Sequence, residues 1–278
     1  MLPISSLFSF FIVLCLMVFL PGCQSLPESG ITEALSRRLT YYPSTAINSL
    51  PVSTWLYEGP KKSNVVRVYI EGDGRAWVRK SRMSTNPTPK NRLVHALMLK
   101  DKKTDIAYLG RPCHFQQNGL CHPRVWTFDR YSEDTLNIMN NALSAIKKKQ
   151  NYQAIELVGF SGGATIALLL ASQRDDIASV RTIAGNLDPA YTNTLHKVTP
   201  MPSALNPADY IDTLKNIPQY HFVGADDPIV KPAIVNHYLS RFTDMYCIQF
   251  KILPGVTHHK GWVDHWEQLL SESPHCVR

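Results

Sequence analysis

At 278 residues, with 44% hydrophobic and 18% charged side chains, 14 Gly and 19 Pro, the chain can bury a substantial core, which excludes a disordered, collagenous or coiled-coil protein. A formal charge of +7 would suit a nucleic acid or an anionic lipid surface, but no basic stripe or basic aromatic platform accompanies it, so a nucleic-acid partner is set aside. The densest cationic runs, at 100–103 and at Lys147-Lys148-Lys149, read as solvated helix ends.

The first element is an almost unbroken apolar stretch at 7–20, LFSFFIVLCLMVFL, too short for a comfortable bilayer span and the right length for a signal-peptide core. Residues 1–22 are therefore expected to be a lipoprotein-type signal peptide. The run Leu20-Pro21-Gly22-Cys23 resembles the bacterial lipobox, where cleavage before the cysteine lets its thiol take a diacylglycerol. That resemblance implies lipidation of Cys23, and Gln24 in place of Asp implies sorting to the outer membrane. Ordinary secretion and an uncleaved anchor stay open, because no Lys or Arg precedes the apolar core and Pro21 is unusual at its position. Residues 23–30 read as a short tether. No linker divides 31–278, which reads as one domain.

Within that domain a strand is predicted at 65–70, running into the glycine-flanked turn Glu71-Gly72-Asp73-Gly74-Arg75, then a helix at 91–100 and a strand at 105–109. Cys113 and Cys121 follow. With Cys15 lost in the signal and Cys23 committed to lipid, they and Cys247 and Cys276 leave an even number for an oxidising compartment, and proximity suggests the pairs Cys113–Cys121 and Cys247–Cys276. The rival is a metal site at Cys113-His114 and Cys121-His122, whose spacing fits none of the common zinc patterns. A helix at 132–149 starts at Ser132 with Thr135 and places Leu136, Met139 and Leu143 at amphipathic spacing. Next come a strand at 154–158, a helix at 162–174 and a strand at 180–184. The segment 186–218, rich in Pro and polar residues, is too irregular for core and reads as a small cap segment over a site, with a helix at 208–214. Strands at 220–223 and 246–252 alternate with helices at 233–241 and 261–270. This alternation predicts an α/β domain with a mostly parallel central sheet flanked by helices.

The chemistry concentrates where the strand at 154–158 ends, in Gly159-Phe160-Ser161-Gly162-Gly163 before the apolar helix. A strand-to-helix turn sharp enough to expose a serine needs neighbours without Cβ atoms, and the helix N-terminus beside it favours developing negative charge. Ser161 is the candidate nucleophile, and the Gly162 N–H a candidate oxyanion donor. An acid and a histidine should follow, each in a loop after a later strand. Asp227, after the strand at 220–223, is preferred to its neighbour Asp226 and to Asp188, which also suits a turn before Pro189. His258, after the strand at 246–252, is preferred to His259. The second oxyanion donor is expected from the backbone of Asp73, with Gly74 less favoured. The Asp73 carboxylate would oppose an oxyanion unless Arg75 or solvent offsets it. A Cys247–Cys276 bridge would enclose the histidine loop and brace it.

With these residues the chain resembles the α/β-hydrolase superfamily, and more narrowly the α/β-hydrolase lipoproteins of bacteria, through YIEGDGRAW, TNPTPKN, YLGRPC with a second cysteine and a Trp-Thr, GFSGG and GVTHHKGW. The resemblance implies the α/β-hydrolase fold and a Ser161, Asp227, His258 triad working through an acyl intermediate, with no metal or organic cofactor. Carboxylic esters, small or lipid, are the expected substrates. A peptidase or amidase would share every residue named, and a lipid-tethered protein that binds a ligand without chemistry is the reading from another class.

Overall fold

The computed structural model describes residues 40–44, 49–59, 63–79, 81–102 and 105–277. The apolar stretch at 7–20, Cys23 and the tether at 23–30 lie outside the described residues. Strands β1 (Thr40–Ser44), β2 (Val52–Tyr57), β3 (Val65–Ile70), β6 (Asp105–Pro112), β7 (Ala154–Phe160), β8 (Ile177–Ile183), β9 (Gln219–Gly224) and β10 (Ile248–Leu253) form one sheet, while β4 (Trp77–Arg79) and β5 (Arg82–Met83) make a separate hairpin. Across the sheet the order is β1-β2-β6-β3-β7-β8-β9-β10. The first two strands pair antiparallel and the other six run parallel.

Burial on both faces explains the continuous apolar runs of the central strands. Along β3, Val66, Val68 and Ile70 join one core cluster and Tyr69 joins the other, the period of two expected of a strand. The helices are α1 (Leu93–Lys100), α2 (Pro123–Trp126), α3 (Glu133–Lys149), α4 (Gly162–Gln173), α5 (Pro189–His196), α6 (Ile211–Leu214), α7 (Pro232–Leu239) and α8 (Trp262–Ser271). On one face, Leu93 and Leu97 of α1 and Trp262 and Trp266 of α8 pack with Tyr69 and Phe222. On the other, Leu136, Met139 and Leu143 of α3 pack with Ile166 and Leu169 of α4. As the sequence suggested, α3 begins at Ser132, whose Oγ accepts the Thr135 N–H. Among the described residues no helix is long and apolar enough to cross a membrane.

Segment 186–218 departs from the expectation that it stands clear of the core. Leu187, Ala208 and Leu214 are buried in the same cluster as α3 and α4, and Pro189 opens the unforeseen helix α5. Two disulfides form, Cys113–Cys121 and Cys247–Cys276. The second ties the C-terminal tail to β10. The Gln249 side chain donates to the His275 carbonyl and accepts the His275 N–H, and the Val277 N–H donates to the Tyr246 carbonyl. The Cys247 carbonyl receives the Gln219 N–H of β9.

Candidate active site

Strand β7 delivers Ser161 into the turn before α4 at φ 52° and ψ −120°, a left-handed conformation that costs about 1–3 kcal/mol and persists only where its surroundings enforce it. The flanking glycines show what enforces it. A Cβ on Gly159 would stand 2.5 Å from the Ala164 Cα, and one on Gly163 would stand 2.4 Å from the Ile70 carbonyl oxygen. Backbone hydrogen bonds tie the turn down: the Ser161 N–H donates to Ile183, and the Ser161 carbonyl accepts from Ala164 and Asn186.

Two loops at the same end of the sheet bring the other preferred residues to this serine. After β9, Asp227 Oδ1 accepts the N–H groups of Ile229 and Val230, which leaves Oδ2 for His258 Nδ1 at 2.8 Å. After β10, His258 Nε2 lies 3.0 Å from Ser161 Oγ. Both Asp227 and His258 are buried. With the imidazole proton on Nδ1 facing the carboxylate, Nε2 is an acceptor for the serine hydroxyl. The indole N–H of Trp262 donates to the Thr257 and His258 carbonyls and fixes the histidine backbone.

The alternatives lie elsewhere. Asp226 is exposed, with its N–H donated to the Val256 carbonyl. His259 is also exposed, its ring edge-on to His258 at 4.7 Å between centroids. Partial desolvation and the neighbouring His258 hold its imidazole below the ordinary histidine value. Asp188 caps α5, accepting from the Tyr191 N–H and from Asn206 Nδ2, and its other oxygen meets His237.

The loop after β3 passes beside the serine, with a Cβ added to Gly72 coming within 3.3 Å of the Ser161 Cβ. Among the described residues, the Asp73 and Gly162 N–H groups have no protein acceptor. The Asp73 carboxylate is offset, though by other groups than the sequence suggested. Arg75 is exposed, whereas Arg111 Nη1 lies 3.2 Å from Oδ1, Arg130 Nε lies 3.0 Å from Oδ2, and the Tyr131 hydroxyl donates at 3.0 and 2.9 Å. Gly74 has φ 62°, and its Cα packs so closely on Pro87 and His114 that a side chain would collide with both. Glu71 anchors the loop from beneath. Its buried carboxylate accepts from the Tyr108 hydroxyl and the Gly72 N–H, and burial pushes its pKa up to about 7.

The rival metal set is not assembled, since Cys113 and Cys121 bond to each other and His122 caps α2 by accepting the Arg124 N–H. Within segment 186–218 lies an opening of about 370 Å³, walled by Pro189, Asn193, Val198, Met201 and Leu205. No sequence motif marks a role for Arg111, Arg130, Tyr131 or Glu71 in advance. Arg111 and Glu71 do stand inside the motifs quoted above, but Arg130 and Tyr131 carry no local signal.

The fold has close counterparts. An α/β serine hydrolase homologue from Coxiella burnetii superposes with TM-score 0.58 at 14% identity, over 83% of this chain and 95% of that one. The Pyrococcus furiosus esterase Pf2001 gives 0.62 at 16%, over 86% and 92%. Est1E from Butyrivibrio proteoclasticus gives 0.59 at 13%, over 84% and 98%. These likenesses establish the α/β-hydrolase fold, in the company of serine hydrolases and esterases. No family model matches the chain. No curated protein matches it in sequence.

Proposed function

We propose that the protein is a serine hydrolase of carboxylic esters, anchored by lipid on Cys23 to the bacterial envelope at the outer membrane. The observation that carries the catalytic part is the unbroken chain from Asp227 Oδ2 through His258 to Ser161 Oγ, at 2.8 and 3.0 Å, on a serine held in a left-handed turn.

Ser161 Oγ attacks the ester carbonyl carbon while His258 Nε2 takes the hydroxyl proton, and Asp227 stabilises the imidazolium. The oxyanion is received by the Gly162 and Asp73 N–H groups and by the N-terminus of α4. Collapse expels the alcohol, which takes the proton from His258 and leaves an acyl group on Ser161. Water then attacks that ester, His258 taking and returning its proton, and releases the acid with the hydroxyl restored. Ester substrates draw support from the neighbours: one of the three compared above is an esterase by name, and a structure of Est1E holds ferulic acid.

A fluorophosphonate probe applied to the wild type and to Ser161→Ala tests the nucleophile, and labelling of the wild type alone is expected. Equal labelling of both removes Ser161 from the mechanism. Turnover of p-nitrophenyl esters with none of peptide anilides is expected, and the reverse would make the protein an amidase. Palmitate incorporation should be lost in Cys23→Ser; incorporation retained there would overturn the anchor.

A further inference from the structure

We infer that the side chain of Asp73 is a positioning residue, whose carboxylate, gripped by Arg111, Arg130 and Tyr131, fixes the loop after β3 against the N-terminus of α4 and so sets the spacing of the two oxyanion donors. This rests on the hydrolase reading above, and gives Asp73 a task separate from that of its N–H.

Both carboxylate oxygens are engaged. Oδ1 meets Arg111 Nη1 and the Tyr131 hydroxyl; Oδ2 meets Arg130 Nε and the same hydroxyl. These partners come from outside the loop: Arg111 from β6, and Arg130 and Tyr131 from the turn before α3. They are held in turn. Arg111 Nη2 donates to the Arg130 carbonyl, Arg130 Nη1 donates to the Thr127 carbonyl at 2.7 Å, and the Tyr131 carbonyl accepts the Leu205 N–H at 2.9 Å. Both guanidinium groups also face the Tyr131 ring, at 5.5 and 5.0 Å from its centroid. A carboxylate with two cations and a hydroxyl on it has little freedom to rotate, so the backbone that carries it is fixed as well.

The carboxylate also reaches the other half of the oxyanion site. A Cβ on Gly162 would stand 2.0 Å from Asp73 Oδ1 and 2.4 Å from the Tyr131 hydroxyl. Gly162 is not among the residues with positive φ, so its backbone alone does not demand glycine. What excludes a side chain there is the clamp, which lies directly on the residue whose N–H is the first donor. The two guanidinium groups compensate the Asp73 carboxylate, which answers the objection to an acid beside a developing oxyanion.

Asp73→Ala keeps the N–H and deletes the clamp, so it separates the two roles. In the full chain, with p-nitrophenyl butyrate, kcat should fall about 30- to 100-fold with KM within threefold, the scale of a misplaced or lost oxyanion donor. Affinity for phenylboronic acid, which adds to the serine as a tetrahedral anion, should weaken by a similar factor, while inhibition by butyrate stays unchanged. Arg130→Met should lose roughly tenfold in kcat with KM within threefold, a split that a purely structural arginine would not give. Should Asp73→Ala fail to fold, Gly162→Ala displaces the same carboxylate from the opposite side and should show the same split between kcat and KM. A folded Asp73→Ala with kcat within twofold of wild type, or a raised KM at unchanged kcat, overturns the clamp and leaves the hydrolase reading standing. A wild type that neither labels nor turns over removes both.

Discussion

The His237 imidazole meets the Asp188 carboxylate at 2.9 Å through Nδ1, the same ring atom by which His258 meets Asp227 at 2.8 Å. The two pairs differ in what lies beyond. His258 continues to the Ser161 hydroxyl, whereas the His237 ring stacks on Tyr191, 3.8 Å between centroids and 2° from parallel. Asp227→Asn should therefore lower kcat by about 10³–10⁴ with little loss of stability. Asp188→Ala should cost about 1–2 kcal/mol through the lost cap of α5 and keep ester hydrolysis within a few-fold. Steady-state kinetics beside urea melts separate the two, and a dead Asp188→Ala enzyme that is fully folded would reverse the assignment.

The glycine next to the elbow is a matter of space. In Gly163→Ala the new methyl would meet the Ile70 and Glu71 carbonyl oxygens at 2.4 and 2.6 Å, and backbone cannot swing aside as a long side chain can. Although alanine favours a helix by about 1 kcal/mol over glycine, a net loss of about 3 kcal/mol is expected. A denaturation midpoint at or above that of the wild type would contradict this packing.

Glu71 ties stability to pH. Burial raises its pKa from 4.5 to about 7, against the pull of its hydrogen bonds from Tyr108 and Gly72 and of the nearby Arg92 and Arg111 charges. The folded state thus binds the proton more tightly than the unfolded chain does. The stabilisation is complete below pH 4.5 and is lost as pH rises through 7, a change on the order of 3 kcal/mol. Unfolding free energies measured from pH 4.5 to 8 should fall more steeply in the wild type than in Glu71→Gln, and parallel curves would show that Glu71 is not the group responsible.

The parts of this site that the sequence displays are those written by one strand and the turn behind it. Ser161, Asp227 and His258 each follow an apolar run, and β3 spans the residues expected of it. The clamp is illegible for the opposite reason. Asp73 meets Arg111 across 38 residues and Tyr131 across 58, and nothing local to Arg130 or Tyr131 records that meeting. The sheet's first strands were missed on composition: β1 contains Pro43, which is tolerated because the strand is an edge, and β2 mixes Ser53 and Thr54 with its apolar residues. Helix α5 was missed because its Pro189 and Asp188 read as a turn, although proline at a first helical position behind an aspartate cap is also a start signal.

The Cys247–Cys276 bridge spans 29 residues that include His258 and α8. Replacing both cysteines by serine should lower unfolding free energy by about 3–4 kcal/mol in the loop-entropy account. At 25 °C the activity should survive, because Thr257 and Trp262 hold the histidine loop through hydrogen bonds of their own. An inactive but folded double variant would make the bridge itself the brace of the imidazole.

That bridge has a further effect at the rim of the molecule. Phe250 and Ile252 sit outward on the last strand, 47% and 43% exposed, and a greasy border strand invites a stranger's strand to add itself alongside. The protein's own tail is fastened covalently at Cys247, just before that strand, and its His275 backbone holds the Gln249 side chain, so the chain end cannot leave this part of the border while the bridge is intact.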